Sequence, residues 1–326
     1  MASRFRRERP RVGLVLGGGG VLGAAWLMGG LGALVRETGW DPQRASIVLG
    51  TSAGAVVAAL TAGSHRPWRI IEEGFEAEFA DVVGAAVYRM ERPERLLHWG
   101  SWRMVTEAWS GGGDSALNRI WAGILPHGLV STADIARMVD RRVTGWPSHP
   151  RAWIVATDYE SGRRHVFHAS GPHDVTVGQA VAASCAIPGF YRPVRIGSRL
   201  YVDGGVTSST NLDLLAGEGL DLIICMLPLS PATALARRTP FTRLRSMLQR
   251  SLRRQIHAVE QAGTPVLLIE PEGRAADLIG LNFMNRSRSR RVAHAAAETV
   301  HRRLRTAHAH TVLGLIRAVD GVDGAA

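Results

Sequence analysis

The chain has 326 residues, of which 46% are hydrophobic and 21% charged, a balance that excludes a disordered or fibrous protein. Its formal net charge is +11, and every basic residue apart from histidine is arginine, because the sequence contains no lysine. This surplus predicts attraction to anionic surfaces. Since no nucleic-acid-binding motif accompanies it, we expect a membrane surface and not nucleic acid.

The first residues, 1–11, form an arginine-rich segment that we expect to be a disordered tail. No run of about 18 apolar residues occurs, and the N-terminus lacks a secretion signal, so we expect a cytoplasmic protein that associates with membranes only peripherally. Cys185 and Cys225 lie in apolar segments and are predicted to be buried thiols. Neither a disulfide framework nor a metal site follows, and no cofactor is predicted.

Residues 12–49 predict a βαβ unit. Val12–Leu16 and Ser46–Leu49 are short apolar strands, and apolar residues recur at helical spacing from Gly23 to Glu37. Gly17–Gly20 predict an irregular loop after the first strand. Because a βαβ connection makes its strands parallel, the glycine loop and the residues after the second strand meet at one sheet edge. Ligands of open parallel sheets bind at that edge.

Residues 64–130 contain five of the nine tryptophans and no clear strand. We expect a helical, cap-like insertion whose tryptophans pack inward. The alternative is a lid that opens on lipid.

Beyond residue 130 strands and helices alternate, which predicts an α/β fold with three α/β/α layers around a mostly parallel sheet. Further strands are expected at Trp153–Thr157, Leu200–Val202, Leu222–Leu227 and Val266–Ile269. Further helices are expected at 135–143, 175–185, 244–259 and 287–306. The helix at 244–259 combines an apolar stripe with flanking arginines, so it either covers the sheet or docks on a membrane. We expect a single domain over 12–310 and a C-terminal tail over 311–326.

Ser52 lies in the sequence Gly50-Thr51-Ser52-Ala53-Gly54, directly after an apolar strand and before a predicted helix. Gly50 and Gly54 permit a sharp turn and leave the serine uncrowded, which is what a nucleophile elbow requires. A serine at such a turn also serves as an ordinary helix N-cap. The pattern therefore indicates acyl chemistry only in combination with other residues.

The glycine loop matches G-x-G-x-x-G at Gly18, Gly20 and Gly23, a dinucleotide-binding pattern. That interpretation requires an acidic residue at the end of the next strand, and none is present. The backbone amides of Gly18, Gly19 and Gly20 are instead expected to form an oxyanion hole at the N-terminus of the following helix.

A serine nucleophile needs a base within hydrogen-bond reach. Asp203 ends a predicted strand and is followed by Gly204 and Gly205. An Asp-Gly turn is common without catalysis. Together with Ser52 and the glycine loop, however, Asp203 becomes the candidate base.

These three elements, in this order, resemble the patatin-like phospholipase family of serine lipid acyl hydrolases. The segment 18–23 resembles the family's oxyanion loop, 50–54 its nucleophile motif and 203–205 its Asp-Gly-Ala/Gly motif, and 183–190 agrees with its approach to the aspartate. The resemblance extends from about 12 to 269. It implies a patatin-like fold in which Ser52 attacks an acyl ester and Asp203 acts as base without a histidine. Asp203 should then be shielded from water, with a raised pKa.

One position departs from the family pattern, because Leu22 stands where the family carries arginine or lysine. This leaves open how an anionic headgroup is held. One alternative is an α/β-hydrolase with a Ser-Asp-His triad, in which the histidine would be His257, His294, His301 or His308. Another is a membrane-recruited binding module of the same fold with weak catalysis. Acyl transfer to an acceptor other than water is a third. The sequence does not indicate the oligomeric state.

Overall fold

The structure is a computed structural model and describes residues 10–69, 100–111, 115–171, 174–230, 242–280, 282–306 and 313–314. The predicted N-terminal tail lies outside these residues except for 10 and 11, and most of the predicted C-terminal tail also lies outside them.

A sheet of eight strands forms the centre of the fold. The strands are β1 (Val12–Leu16), β2 (Ile47–Thr51), β3 (Arg151–Asp158), β4 (Arg164–Phe167), β5 (Val194–Ile196), β6 (Arg199–Asp203), β7 (Leu222–Met226) and β8 (Val266–Ile269). Their order is β5-β6-β3-β2-β1-β7-β8, and β4 pairs with β3 outside this path. Strands β1, β2, β3, β7 and β8 are parallel, whereas β4, β5 and β6 join by antiparallel pairing.

Helices cover both faces of the sheet. They are α1 (Gly20–Thr38), α2 (Ala53–Ala62), α3 (Trp102–Gly111), α4 (Ala116–Ile124), α5 (Ala133–Asp140), α6 (Val177–Ser184), α7 (Thr242–Gln261), α8 (Arg274–Ile279) and α9 (Ser289–Leu304). Because side chains alternate along a strand, Leu14 and Leu16 of β1 enter one core and Val15 enters the other. The larger core contains residues of α1, α2, α5, α6 and α9, and the smaller contains Val259 of α7. The predicted three-layer α/β/α fold is confirmed.

The antiparallel edge was not predicted from the sequence. Strands β4 and β5 have only four and three residues, too few to show a period. Gly197 and Ser198 separate β5 from β6, and this two-residue hairpin turn is the pattern that could have revealed them. Helix α1 also begins at Gly20, earlier than predicted, because the first residues of a helix need no intrahelical N–H partner.

The predicted cap-like segment contributes α3 and α4, while residues 70–99 lie outside the described part of the chain. These helices pack closely, since a Cβ on Gly123 would lie 2.7 Å from the Val105 side chain. The prediction that the tryptophans pack inward is correct for Trp68 but wrong for three others of the segment, which are exposed: Trp102, Trp109 and Trp121. Trp99 lies outside the described residues.

The basic helix α7 covers the sheet. Val259 is buried in the smaller core, and Ile256 packs against that core. The side chains of residues 242–248, which include part of the predicted apolar stripe, lie outside the described part. No helix within the described ranges is both long and apolar enough to span a bilayer.

Candidate active site

Ser52 occupies a sharp turn between β2 and α2. The strand ends at Thr51 and the helix begins at Ala53, and between them Ser52 has φ 55° and ψ −123°. A positive φ is costly for any residue with a Cβ atom, so the surrounding contacts must impose it. The predicted strand-turn-helix context of Ser52 is therefore present, and the turn is strained.

Two glycines permit this turn because other backbone atoms lie against them. A Cβ on Gly54 would lie 1.9 Å from the carbonyl oxygen of Leu16, and one on Gly50 would lie 2.6 Å from the oxygen of Gly54. Only glycine fits such distances. The end of β1 and the first turn of α2 therefore lie in direct contact, which brings Ser52 beside the glycine loop.

The end of α6 holds the backbone of Ser52. The hydroxyl oxygen of Ser184 accepts a hydrogen bond from the Ser52 amide at 2.9 Å and donates to the carbonyl of Val155 at 2.6 Å. The thiol of Cys185 donates to the carbonyl of Ser52 at 3.3 Å. Ser184 is fully buried and ties the turn to β3. Its role was not predicted, because nothing in the sequence relates a helix-terminal serine to a turn 132 residues earlier.

The pairing register of β2, β3 and β6 places Asp203 close to Ser52. Thr51 of β2 pairs with Val155 of β3, and Asp203 pairs with Ala156, the next residue of β3. The last residues of β2 and β6 therefore lie at the same height along β3, on its two opposite sides. A Cβ on Gly204 would lie 2.3 Å from the carbonyl oxygen of Val155, so the glycine after Asp203 allows close approach to β3.

The hydroxyl of Ser52 lies close enough to the carboxylate of Asp203 to act on it as a hydrogen-bond donor and lower its pKa. The amide of Gly205 donates to Oδ1 of Asp203 at 2.7 Å. Burial has the largest effect on the pKa of Asp203 and raises it from 3.8 to about 6, although the Ser52 hydroxyl and the Gly205 amide both lower it. The residues predicted as nucleophile and base are in contact, and the carboxylate is ionised near neutral pH while still basic enough to accept a proton.

The glycine loop presents backbone amides toward Ser52. Gly18 lies against the serine, because a Cβ on Gly18 would be 3.4 Å from the Ser52 Cβ. The amide of Gly18 donates to the carbonyl of Ser209 at 2.9 Å, so it is not free to bind another oxygen atom. The amides of Gly19 and Gly20 have no hydrogen-bond partner among the described residues. Gly23 donates to the carbonyl of Gly19 at 2.8 Å and so stabilises the loop.

Two cavities meet at Ser52. An open cleft contains Ser52 and Asp203 together with the glycine loop, and residues of α4 form part of its wall. A second, mainly apolar pocket continues from Ser52 between α1, α2 and α5. Its walls include Val56, Ile135 and Met284. Ser52 thus stands between a wide entrance and a narrow apolar pocket.

No histidine lines either cavity within the part of the chain that the structure describes. Of the histidines considered for a triad, His257 and His294 are exposed on helices, and His301 pairs with Glu37 at 2.9 Å. His308 lies outside the described residues. The described geometry therefore offers Asp203, and not histidine, as the partner of Ser52.

Leu22 is fully buried in the larger core, and its amide donates to the carbonyl of Phe283 at 2.9 Å. This backbone hydrogen bond attaches the first turn of α1, which directly follows the glycine loop, to the segment before α9. Phe283 also lies against Gly20, where a Cβ would be 2.5 Å from its ring. Phe283 and Met284 line the two cavities and were not predicted, because no pattern connects them to the motifs.

Comparison with known proteins identifies a matching family, curated relatives and similar solved structures. A family model described as patatin-like phospholipase matches residues 14–216. Among curated relatives, the uncharacterized protein YqhO of Bacillus subtilis is 29% identical over 219 residues, which cover 63% of this chain and 66% of that protein. The uncharacterized NTE family protein Rv1063c of Mycobacterium tuberculosis is 29% identical over 67% of this chain and 49% of its own length. The chain thus spans about half the length of this mycobacterial relative. Among solved structures, VipD from Legionella pneumophila has a TM-score of 0.43 and 14% identity, covering 91% of this chain and 67% of VipD.

Proposed function

This chain belongs to the patatin-like phospholipase family, and from that membership and the geometry of the site we propose that it is a serine lipid acyl hydrolase. Its substrates are fatty acyl esters of lipids, including phospholipids. Ser52 is the nucleophile and Asp203 the general base, and the reaction passes through an acyl-enzyme. The observation that carries this proposal is the placement, in one cleft, of the Ser52 hydroxyl beside a buried carboxylate whose pKa burial raises to about 6.

In the first step, Asp203 accepts the hydroxyl proton as Oγ of Ser52 attacks the ester carbonyl. The tetrahedral intermediate collapses, the carbon–oxygen bond to the leaving alcohol breaks, and the protonated Asp203 returns the proton to the leaving oxygen. In the second step, Asp203 takes a proton from water, which attacks the acyl-enzyme. The fatty acid leaves and Ser52 regains its proton, so both residues return to their initial state.

The oxyanion of each intermediate is stabilised by the amides of Gly19 and Gly20. They lack other partners among the described residues and lie at the N-terminus of α1, where the helix dipole is positive. Such a donor contributes about 3 kcal/mol to transition-state stabilisation. Gly18 is also part of the proposed oxyanion loop, but its amide supports the loop by bonding to Ser209.

Each of the two cavities binds a different part of the substrate. The apolar pocket beside Ser52 accepts the start of the acyl chain, since its walls are formed mainly by apolar side chains. The open cleft accepts the alcohol portion of the lipid. Because Leu22 is buried and uncharged, the headgroup is not held by a cation at that position. The net charge of +11 instead favours peripheral association with anionic lipid surfaces.

The experiment is hydrolysis of a short p-nitrophenyl ester by the wild type, Ser52→Ala and Asp203→Asn. We expect both substitutions to reduce kcat/KM at least about 1,000-fold while the protein remains folded. Asp158→Asn is the matched control, because Asp158 is an equally buried aspartate on β3 that lines neither cavity. Appreciable activity in either dyad variant would contradict the mechanism.

Covalent labelling by a fluorophosphonate separates a hydrolase from a binding module of the same fold. The serine oxygen attacks phosphorus and fluoride leaves, so the label reports an activated nucleophile. We expect the wild type to be labelled at Ser52 and the Ser52→Ala variant to remain unlabelled. A wild-type protein that is not labelled would favour the binding module.

A further inference from the structure

Helix α4 turns most of its large apolar residues toward solvent. Leu117, Trp121, Ile124 and Leu125 follow the spacing i, i+4, i+7 and i+8, which places them on one face of the helix and its C-terminal end. All four are exposed, Trp121 to 64% and Ile124 to 50% of the residue's full accessible surface. We call these four residues the apolar rim.

The helix contacts the rest of the protein through small residues instead. Ala122 is buried in a cluster with Met104 and Tyr159, and Gly123 packs against Val105. In a helix that only covers a core, the large apolar side chains face inward and the small or polar ones face water. Helix α4 has the opposite arrangement. An exposed apolar stripe of this kind indicates an interaction surface.

The rim is continuous with the entrance of the candidate active site. Trp121 and Leu125 form part of the wall of the cleft that contains Ser52 and Asp203. Whatever covers the rim thus lies directly at the entrance through which substrate reaches Ser52.

We propose that the apolar rim is an interfacial docking surface, which inserts into the headgroup region of a lipid bilayer and places the cleft over aggregated lipid. Tryptophan prefers this region, because its indole has an apolar body and one polar N–H. A second copy of the chain is disfavoured as the occupant, since each copy carries a net charge of +11. The same charge attracts the protein to anionic lipid before the rim inserts.

This inference deepens the proposed function, on which it rests for the physical form of the substrate. Helix α7, the other candidate for docking in the sequence, presents Val259 and Ile256 to the smaller core, so these residues are not available to a membrane. The two other exposed tryptophans, Trp102 and Trp109, lie on α3 next to polar residues and line neither cavity. They therefore do not border the entrance of the candidate active site and are not part of the proposed docking surface.

The test measures co-sedimentation of the full chain with vesicles of phosphatidylcholine containing phosphatidylglycerol. All proteins carry Ser52→Ala, so that the lipid is not consumed. Ile124→Glu places a charge on the rim, and Trp109→Glu is the matched control, which makes the same charge change at an exposed residue of the neighbouring helix. We expect Ile124→Glu to reduce the partition coefficient at least tenfold, equivalent to about 1.4 kcal/mol, and Trp109→Glu less than threefold.

Thermal unfolding verifies that each variant is folded, and Leu117→Glu provides a second rim variant if Ile124→Glu is not. Equal losses in the rim variants and the control would overturn the proposal, as would unchanged binding of the rim variants. High salt should weaken binding of the parent protein, because charge draws it to the vesicle, but parent and control should bind more strongly than the rim variants wherever binding is measurable. A dimer that Ile124→Glu dissociates, with no vesicle binding by the parent, would assign the rim to a second copy.

Failure of this inference differs from failure of the proposed function. Vesicle binding is measured in a variant that cannot form an acyl-enzyme, whereas the dyad is tested with a monomeric soluble ester. A protein that hydrolyses the ester but does not bind vesicles contradicts only the rim. A protein that binds vesicles through the rim but lacks esterase activity contradicts only the dyad.

Discussion

Replacing Asp203 with asparagine is expected to stabilise the folded protein at neutral pH while abolishing hydrolysis. Burial raises the pKa of Asp203 from 3.8 to about 6, even though the Ser52 hydroxyl and the Gly205 amide, as hydrogen-bond donors, lower it. The ionised carboxylate is thus less favourable in the folded protein than in the unfolded chain. Asparagine retains an oxygen that accepts both hydrogen bonds and carries no charge.

The sign of the pH dependence follows from proton binding. Well below pH 4 the carboxyl is protonated in both states and causes no penalty. As the pH rises, the unfolded chain loses this proton first, and the free energy of unfolding of the wild type decreases until the folded carboxyl has also ionised, above about pH 6. A shift from 3.8 to about 6 corresponds to about 3 kcal/mol. Asp203→Asn lacks this dependence.

Denaturant unfolding of both proteins between about pH 4 and pH 8 measures this difference. We expect the free energies of unfolding to differ by less than about 1 kcal/mol at the acidic end and by about 3 kcal/mol at the alkaline end. The kcat/KM of the wild type should fall as the pH decreases through about 6, because the base becomes protonated. A stability difference that does not vary with pH would refute the assignment of a buried, perturbed carboxyl at Asp203.

Three further substitutions test the supports of the site. Ser184→Ala removes the acceptor of the Ser52 amide and one donor to a carbonyl of β3, so stability should fall by about 1–3 kcal/mol and kcat should fall more than KM rises, as measured with a soluble ester. Gly54→Ala places a Cβ 1.9 Å from a backbone oxygen of β1 and should prevent folding, whereas Gly217→Ala, with open space around its Cβ, should cost only about 1–2 kcal/mol in thermal unfolding. Met284→Trp should narrow the apolar pocket and shift the preference toward short acyl chains in assays of graded p-nitrophenyl esters.

The parallel core of the fold was predictable because its signals are local. Strands β1, β2, β7 and β8 are short apolar runs next to glycine or a turn, and the structure confirms them within a residue or two. The antiparallel strands β4 and β5 were not predicted, since each is too short to show an alternating pattern. The inward packing of the tryptophans of α3 and α4 was predicted wrongly for a different reason. Burial of tryptophan is the more common outcome, but in these helices alanine and glycine provide the close packing.

The motif residues of the candidate site were predictable for the same reason. Gly50 and Gly54 flank Ser52 in a five-residue pattern, and their close contacts are made by their own turn and the end of β1. Ser184 and Asp203 contact this turn only because β3 lies between β2 and β6. Their distance to Ser52 depends on strand order and register, which local patterns do not encode.

The walls of the site depend on a part of the chain beyond the family match, which ends at residue 216. Phe283 accepts the Leu22 amide, covers Gly20 and lines the open cleft, and Met284 lines the apolar pocket. Leu22 is therefore a buried leucine whose backbone is fixed by the segment before α9. The proposed chemistry depends on residues within the matched region. The shape of the apolar pocket depends partly on residues outside it, so under the proposed function two members with identical motifs would differ in the acyl chains they accept.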